Sequence, residues 1–176
     1  DENLMEYKFS RNVEILRKEL EKDPDNSYYW FQLSQSYTAY NQLDNALEAI
    51  QKAYRIIKDK KYELDKHMYV YVHMAFVLFK SDKFNELERI CEESIEVKDG
   101  YIDIYYFLGK AKMYLKKDSE AVKCYTKYLD IFEHPHKYSG KSDLSVTHHT
   151  ICAVEDVYLD LTVLYSNAKD HERALR

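Results

Sequence analysis

The chain has 176 residues but only three glycines and two prolines. The two types together ordinarily make up roughly 12% of a protein, and sandwiches, barrels and linkers need them to turn. Their shortage excludes turn-rich β architectures and leaves helices joined by few breaks. Long apolar runs are also missing. The longest, Met74 to Phe79, falls far short of the roughly 18 residues of a membrane span, and no signal-peptide pattern precedes it. No Lys/Arg block occurs and the net charge is −5, the wrong sign for binding a phosphate backbone, so nucleic acid is excluded as a partner. Cys91, Cys124 and Cys152 are odd in number and lack C-x-x-C spacing. That pattern suits reduced, packed thiols in a cytoplasmic protein better than disulfides or a zinc site.

What the chain does have is tyrosine, 18 of them, and a period. Trp30, Leu33, Tyr37, Ala46, Ile50 and Ala53 put one apolar stripe on a first helix and another on a second, with Asn41 and Gln42 at the break. The same offsets from Tyr71 give Met74, Leu78, Leu87, Cys91 and Ser94. From Tyr105 they give Leu108, Lys112, Ala121, Tyr125 and Tyr128, and from Tyr158 they give Leu161, Tyr165 and Ala174. Upstream, Phe9, Val13, Leu16, Leu20 and Pro24 fall in the phase of the second helix of a preceding unit, with Asp23-Pro24-Asp25-Asn26 as the turn.

This pattern resembles the tetratricopeptide repeat (TPR), W-x-x-L-G-x-x-Y followed by Ala, an aromatic, Ala and Pro. Departures are Ser34, Ala75 and Thr162 for the glycine, Lys112 for a tyrosine and Leu87 for an alanine. The resemblance implies an all-α fold, a right-handed superhelical solenoid of antiparallel helix pairs with about nine helices. Anchor spacing assigns a capping helix to 1–26, TPR 1 to 27–60, TPR 2 with an extended first helix to 61–101, TPR 3 to 102–132, an insertion loop to 133–146, and a truncated TPR 4 to 147–176. The loop is marked by Pro135, Gly140 and the run Ser139 to Ser145. Helices are predicted near 4–22, 27–40, 43–58, 62–80, 84–97, 101–115, 118–132, 147–167 and from 170 onward. The chain begins at Asp1 and ends inside a predicted helix, so it reads as a segment of a longer protein.

In this repeat the first helix of each pair faces a concave groove that serves as a binding surface. Groove positions fall on Tyr28, Phe31, Gln35 and Thr38, then Tyr69, Val72, Phe76 and Phe79, then Asp103, Tyr106, Lys110 and Met113, and finally Asp156, Leu159, Val163 and Ser166. Tyr28, Tyr69 and Tyr106 suit peptide recognition, a rigid ring with a polar tip. Tyr37, Tyr71, Tyr105, Tyr125, Tyr128, Tyr158 and Tyr165 read as packing. Such a groove is apolar. Lys110 is the one residue that could join a Lys/Asn/Arg clamp for acidic tails, so acidic tails are poor ligands. The helix from Tyr69 to Phe79 is apolar all round and must be covered, either by a partner segment or second copy, or by neighbouring helices and the long loop.

No catalytic motif occurs, neither G-x-S-x-G, P-loop, H-E-x-x-H nor G-x-G-x-x-G. Asp23-Pro24-Asp25 spells D-x-D, yet its phase makes it a helix-capping turn. Glu92, Glu93 and Glu96 read as a solvated face. His134, His136, His148 and His149 flank the insertion without metal-ligand spacing, and His67, His73 and His171 stand singly. No catalytic residue, metal or cofactor is expected in this segment. Arg11-Asn12 with Leu16, Leu20, Asp23-Pro24, Phe31 and Leu33, and the run Gly100 to Gly109, resemble the TPR tails of bacterial family 2 glycosyltransferases. That resemblance implies a parent enzyme whose catalytic residues lie upstream of Asp1, and a tail that binds an acceptor protein or forms a homodimer. A free-standing scaffold or adaptor and a bacterial peptide receptor are the alternatives.

Overall fold

Asn26 shows how the chain starts its helices with so little glycine and proline. Its carboxamide oxygen accepts the Tyr29 amide at 3.1 Å while its nitrogen donates to Asp23 at 3.1 Å, satisfying an orphan N–H of the helix that starts at Ser27. The Trp30 indole closes the same turn by donating to the Pro24 carbonyl at 2.8 Å. The D-x-D spelling is thus a cap. Helices end by a second device. Asn41, Lys61, Asp82 and Lys116 adopt φ of 55°, 52°, 54° and 61°, the left-handed conformation that usually calls for glycine after a helix.

The computed structural model describes residues 2–138 and 149–167. It is all-helical among them: α1 (Glu2–Lys22), α2 (Ser27–Ala39), α3 (Leu43–Asp59), a 3-10 turn (Leu64–His67), α4 (Met68–Lys80), α5 (Phe84–Val97), α6 (Ile102–Tyr114), α7 (Asp118–Glu133), the single turn α8 (Pro135–Tyr138) and α9 (Val154–Asn167). The chain divides into two compact units, Asp1–Asp82 and Lys83–Arg176. The predicted second repeat is shared between them, α4 falling in the first and α5 in the second.

In the first unit α2 and α3 form an antiparallel pair across a three-residue turn, with the Gln42 amide bonded to the Tyr37 carbonyl at 2.9 Å. Ala46, Ile50 and Ala53 have no exposed surface, the small residues letting the two backbones approach. Ser34, standing at the repeat's glycine position, donates to the Ala46 carbonyl at 2.7 Å. His73 of α4 lies 3.1 Å from the Ser34 hydroxyl through Nε2. Since that hydroxyl already spends its proton on Ala46, His73 carries the Nε2 proton and donates it. One buried chain of hydrogen bonds therefore ties α4 to α2 and α2 to α3.

The helix predicted over 62–80 starts later, at Met68. Lys61 turns left-handed, the Tyr62 amide bonds back to Ile57 at 3.1 Å, and the polar stretch around Asp65 makes only a 3-10 turn. The first helix of the second repeat is therefore not extended: α4 has 13 residues, as do α2 and α6. The surplus residues go into α3, which has 17, and into the connection after it.

In the second unit α6 and α7 pair across Leu115–Lys117, with the Lys117 amide on the Lys112 carbonyl at 2.8 Å. Gly109 faces the Tyr125 ring so closely that an added β-carbon would stand 2.6 Å from Cδ1. The helix predicted from 147 begins at Val154, after a turn closed by the Ala153 amide on Thr150 at 2.9 Å. Tyr158, expected to pack, is half exposed. The predicted helix from 170 onward, with His171 and Ala174, lies outside the described residues. So do Ser139 to Ser145, Gly140 and His148, most of the expected insertion.

Candidate functional site

The groove-facing residues of the first unit meet as a cluster of rings. Tyr69 packs edge-on against Phe31 with centroids 4.7 Å apart and against Tyr28 at 6.0 Å, and Tyr28 lies 6.0 Å from Phe31. His73 extends the row, 5.4 Å from Phe31 and 6.2 Å from Phe76. Edge-to-face contacts of this kind fix ring orientation as well as burying area. Phe31 forms the floor, only 8% exposed, whereas Tyr28 is 50% exposed. Tyr69, Phe76 and Phe79 are half-buried, and burial holds the Tyr69 hydroxyl above its ordinary pKa. Gln35 lines a cavity of about 350 Å³ with Asn12, Gln32, Ser36, Ile15 and Leu16. Thr38 bonds its own helix at Ser34, 2.8 Å away. Val72, expected on this face, is 1% exposed and offers a partner nothing.

The corresponding positions in the second unit are closed. Asp103 has no exposed surface, and its Oδ1 accepts the His149 amide at 2.7 Å, the Thr150 amide at 2.8 Å and the Thr150 hydroxyl at 2.9 Å. Tyr128 donates to the Thr150 carbonyl at 2.5 Å; burial pushes its hydroxyl up to about 12. Tyr106 is buried too, its hydroxyl 3.5 Å from Asp156. Lys110 is held by Asp160 at 2.6 Å, so the one cation counted toward a clamp is already paired. Asp160 also accepts the Tyr125 hydroxyl at 2.6 Å. Met113 is half-buried, while Asp156, Leu159, Val163 and Ser166 remain exposed.

One constellation escaped the sequence reading. Glu88 and Glu92 on α5 and Glu120 on α7 bring carboxylate oxygens within 4.8 Å of one another, and the Lys112 ammonium sits among them at 3.0, 2.9 and 2.6 Å. Lys117 adds a second cation on Glu88 at 2.7 Å. Burial alone would lower the Lys112 pKa, but the hydrogen bonds that its ammonium donates to all three carboxylates raise it above its ordinary value. Burial would raise Glu88, and the two lysines overcome it to leave its pKa lowered. Glu92 read as part of a solvated face. The available signal was Lys112 itself, a lysine in a core phase that must find carboxylates on the adjoining helices. The imidazoles do not gather among the described residues: His134 and His136 rings are 6.3 Å apart, and His134 contacts Asp130 at 3.1 Å.

The family model described as tetratricopeptide repeat matches residues 27–60 and 102–134, the α2–α3 and α6–α7 pairs. Solved structures match nearly the whole chain. The crystal structure of MamA superposes with a TM-score of 0.74 at 17% identity, covering 99% of this chain and 87% of that one. A second MamA structure, AMB-1, gives 0.71 at 16% identity over 96% and 84%. YrrB, described as a TPR protein with an unusual peptide-binding site, gives 0.69 at 16% identity over 98% and 77%. No curated protein matches the sequence at a significant level. In class, then, the described residues adopt the all-α helical-repeat fold of the solved TPR structures. At the level of the chain itself, TPR repeats stand at 27–60 and 102–134, and no described helix is long and apolar enough to cross a membrane.

Proposed function

We propose that the chain binds a peptide segment of a partner protein through the ring cluster of its first unit, with Tyr28, Tyr69 and Phe76 as contact residues, Phe31 as floor and Gln35 as the neighbouring polar group. The observation that carries this reading is Tyr28: a half-exposed ring braced by Phe31 and Tyr69. The peptide-binding site ascribed to YrrB, a protein of like fold, supports it. A panel of short apolar peptides is the test. A binder at 100 times its Kd raises stability by about 2.7 kcal/mol through linkage and so shifts the melting temperature upward. Tyr28→Ala should weaken that peptide at least about tenfold, since exposed aromatic anchors carry much of the binding energy, and leave the melting temperature of the free chain almost unchanged. A panel without any shift, or a Tyr28→Ala variant with undiminished affinity, overturns the reading.

A finer reading rests on Arg11-Asn12 and on the run Gly100 to Gly109. The chain serves as the non-catalytic C-terminal part of a bacterial family 2 glycosyltransferase in the cytoplasm, where it contributes acceptor binding or homodimer formation. The three free cysteines agree with a reducing compartment. The parent coding sequence tests it. Strand-helix alternation with a D-x-D after a strand, upstream of Asp1, supports the enzyme; a parent without them makes the chain a scaffold, adaptor or peptide receptor.

A further inference from the structure

Tyr37 and Lys112 hold the same place in their repeats, seven residues after the anchors Trp30 and Tyr105. The places around them correspond too: Arg17 and Glu92 each stand thirteen residues before the anchor, Asn45 and Glu120 fifteen after it. In the second unit charge fills the spot. Lys112 bonds Glu88 and Glu92 on one flanking helix and Glu120 on the other, joining α5 to α7. In the first unit Arg17 of α1 donates to the Tyr37 hydroxyl at 2.7 Å. On the other flank Asn45 donates within its own helix to Gln42 at 3.0 Å, and Lys52 pairs with Glu48 at 2.9 Å while covering the Trp30 ring at 4.4 Å. Between α1 and α3 lies a cleft of about 370 Å³, on the side of α2 opposite Tyr28 and Phe31.

Its floor is apolar, made of the buried Leu20, Leu33, Tyr37 and Ala49 with Trp30 at one end. Arg17 and Glu21, one turn apart on α1, form its charged wall. Arg17 gives one N–H to Tyr37 and meets no carboxylate among the described residues, and Glu21 has neither an ion pair nor a hydrogen bond among them. Lys18 is taken by Glu14 at 2.6 Å. We infer that this cleft binds a free α-amino acid with an apolar or aromatic side chain, its carboxylate on Arg17, its ammonium on Glu21 and its side chain over the floor beside Trp30. A guanidinium has five donors and grips a carboxylate through two of them in parallel, so enough remain after Tyr37 takes one. One cation and one anion on α1, facing the paired Glu48 and Lys52, match a zwitterion better than an anion or a cation alone. The volume lies in the range of roughly 300–1,000 Å³ that small-molecule sites occupy. The inference is independent of the ring cluster on the other side of α2, and either can fail alone.

Trp30 is the chain's only tryptophan, so its emission reports on the cleft directly. L-phenylalanine, L-leucine and L-methionine are the probes, added to the whole chain with excitation where tyrosine does not absorb. At least one should change the emission saturably. Arg17→Met should weaken that probe at least about tenfold and Glu21→Gln at least about threefold, the range expected for hydrogen bonds between charged groups. Both residues are exposed, so neither substitution opens the core. The amide of the same amino acid, which lacks the carboxylate, should bind weakly and equally to wild type and Arg17→Met. The deaminated acid, which lacks the ammonium, should not distinguish wild type from Glu21→Gln. No saturable change with any of the three amino acids overturns the inference. So does a change that Arg17→Met and Glu21→Gln leave undiminished, or an amide that binds as tightly as its amino acid.

Discussion

Replacing Lys112 with methionine is expected to lower the melting temperature by about 4–12 °C at pH 7 and by less at pH 4. The side chain is 6% exposed and meets three carboxylates. Methionine fills the space, so the loss measures the charge. Breaking a fully buried pair costs roughly 3–5 kcal/mol; here about 2–3 kcal/mol is expected, because Glu92 and Glu120 are half exposed and Glu88 keeps Lys117. The pH dependence follows from the signs. Lys112 has a raised pKa, so its contribution is complete below the ordinary 10.5 and fades as pH rises through the folded value. Glu88 and Glu120 have lowered values, so theirs is complete above the ordinary 4.5 and fades as pH falls through the folded value. The window between 4.5 and 10.5 is where wild type and variant differ most. Circular dichroism melts at pH 4 and pH 7 decide it, and an equal loss at both would refute the charge account.

Gly109→Val is expected to destabilise the chain by about 3 kcal/mol, the upper end of what overpacking costs. An alanine would already place its β-carbon 2.6 Å from Tyr125 Cδ1. The ring cannot retreat, having no exposed surface and a hydroxyl fixed to Asp160 at 2.6 Å. Helix propensity, worth only about 1 kcal/mol for Gly→Ala, does not offset a clash of this depth. Urea denaturation of Gly109→Val, Tyr125→Leu and the double variant tests the cause. Leucine at 125 should relieve the valine, giving a coupling of about 1–2 kcal/mol, whereas costs that add within about 0.3–0.5 kcal/mol would show that the ring is not what valine strikes.

The fold was legible where one phase repeats. Leu33, Tyr37, Ala46, Ile50 and Ala53, then Tyr71, Met74, Leu78, Leu87 and Cys91, are buried where their offsets put them, because each helix pair buries the same two stripes. Connections were less legible. The start of α4 depends on Lys61 accepting a left-handed backbone, which no apolar period records. The site was legible by halves. The same rule placed Tyr28 and Asp103, but only Tyr28 is open, because the fate of Asp103 depends on two residues almost fifty positions later that carry no local pattern. Lys112 looked like a flawed repeat position; its partners lie on two other helices, so its role emerges only in three dimensions.

The left-handed turn residues bear on how the sequence can drift. A non-glycine residue in that conformation costs roughly 1–2 kcal/mol, less for Asn and Asp, so mutation of Lys61 or Lys116 to glycine relieves backbone strain. Gly109, in the middle of a helix where glycine is ordinarily a weakness, admits no larger residue. Mutational tolerance here is thus inverted relative to the usual rule: the turns are free to acquire glycine and the helix is not free to lose it.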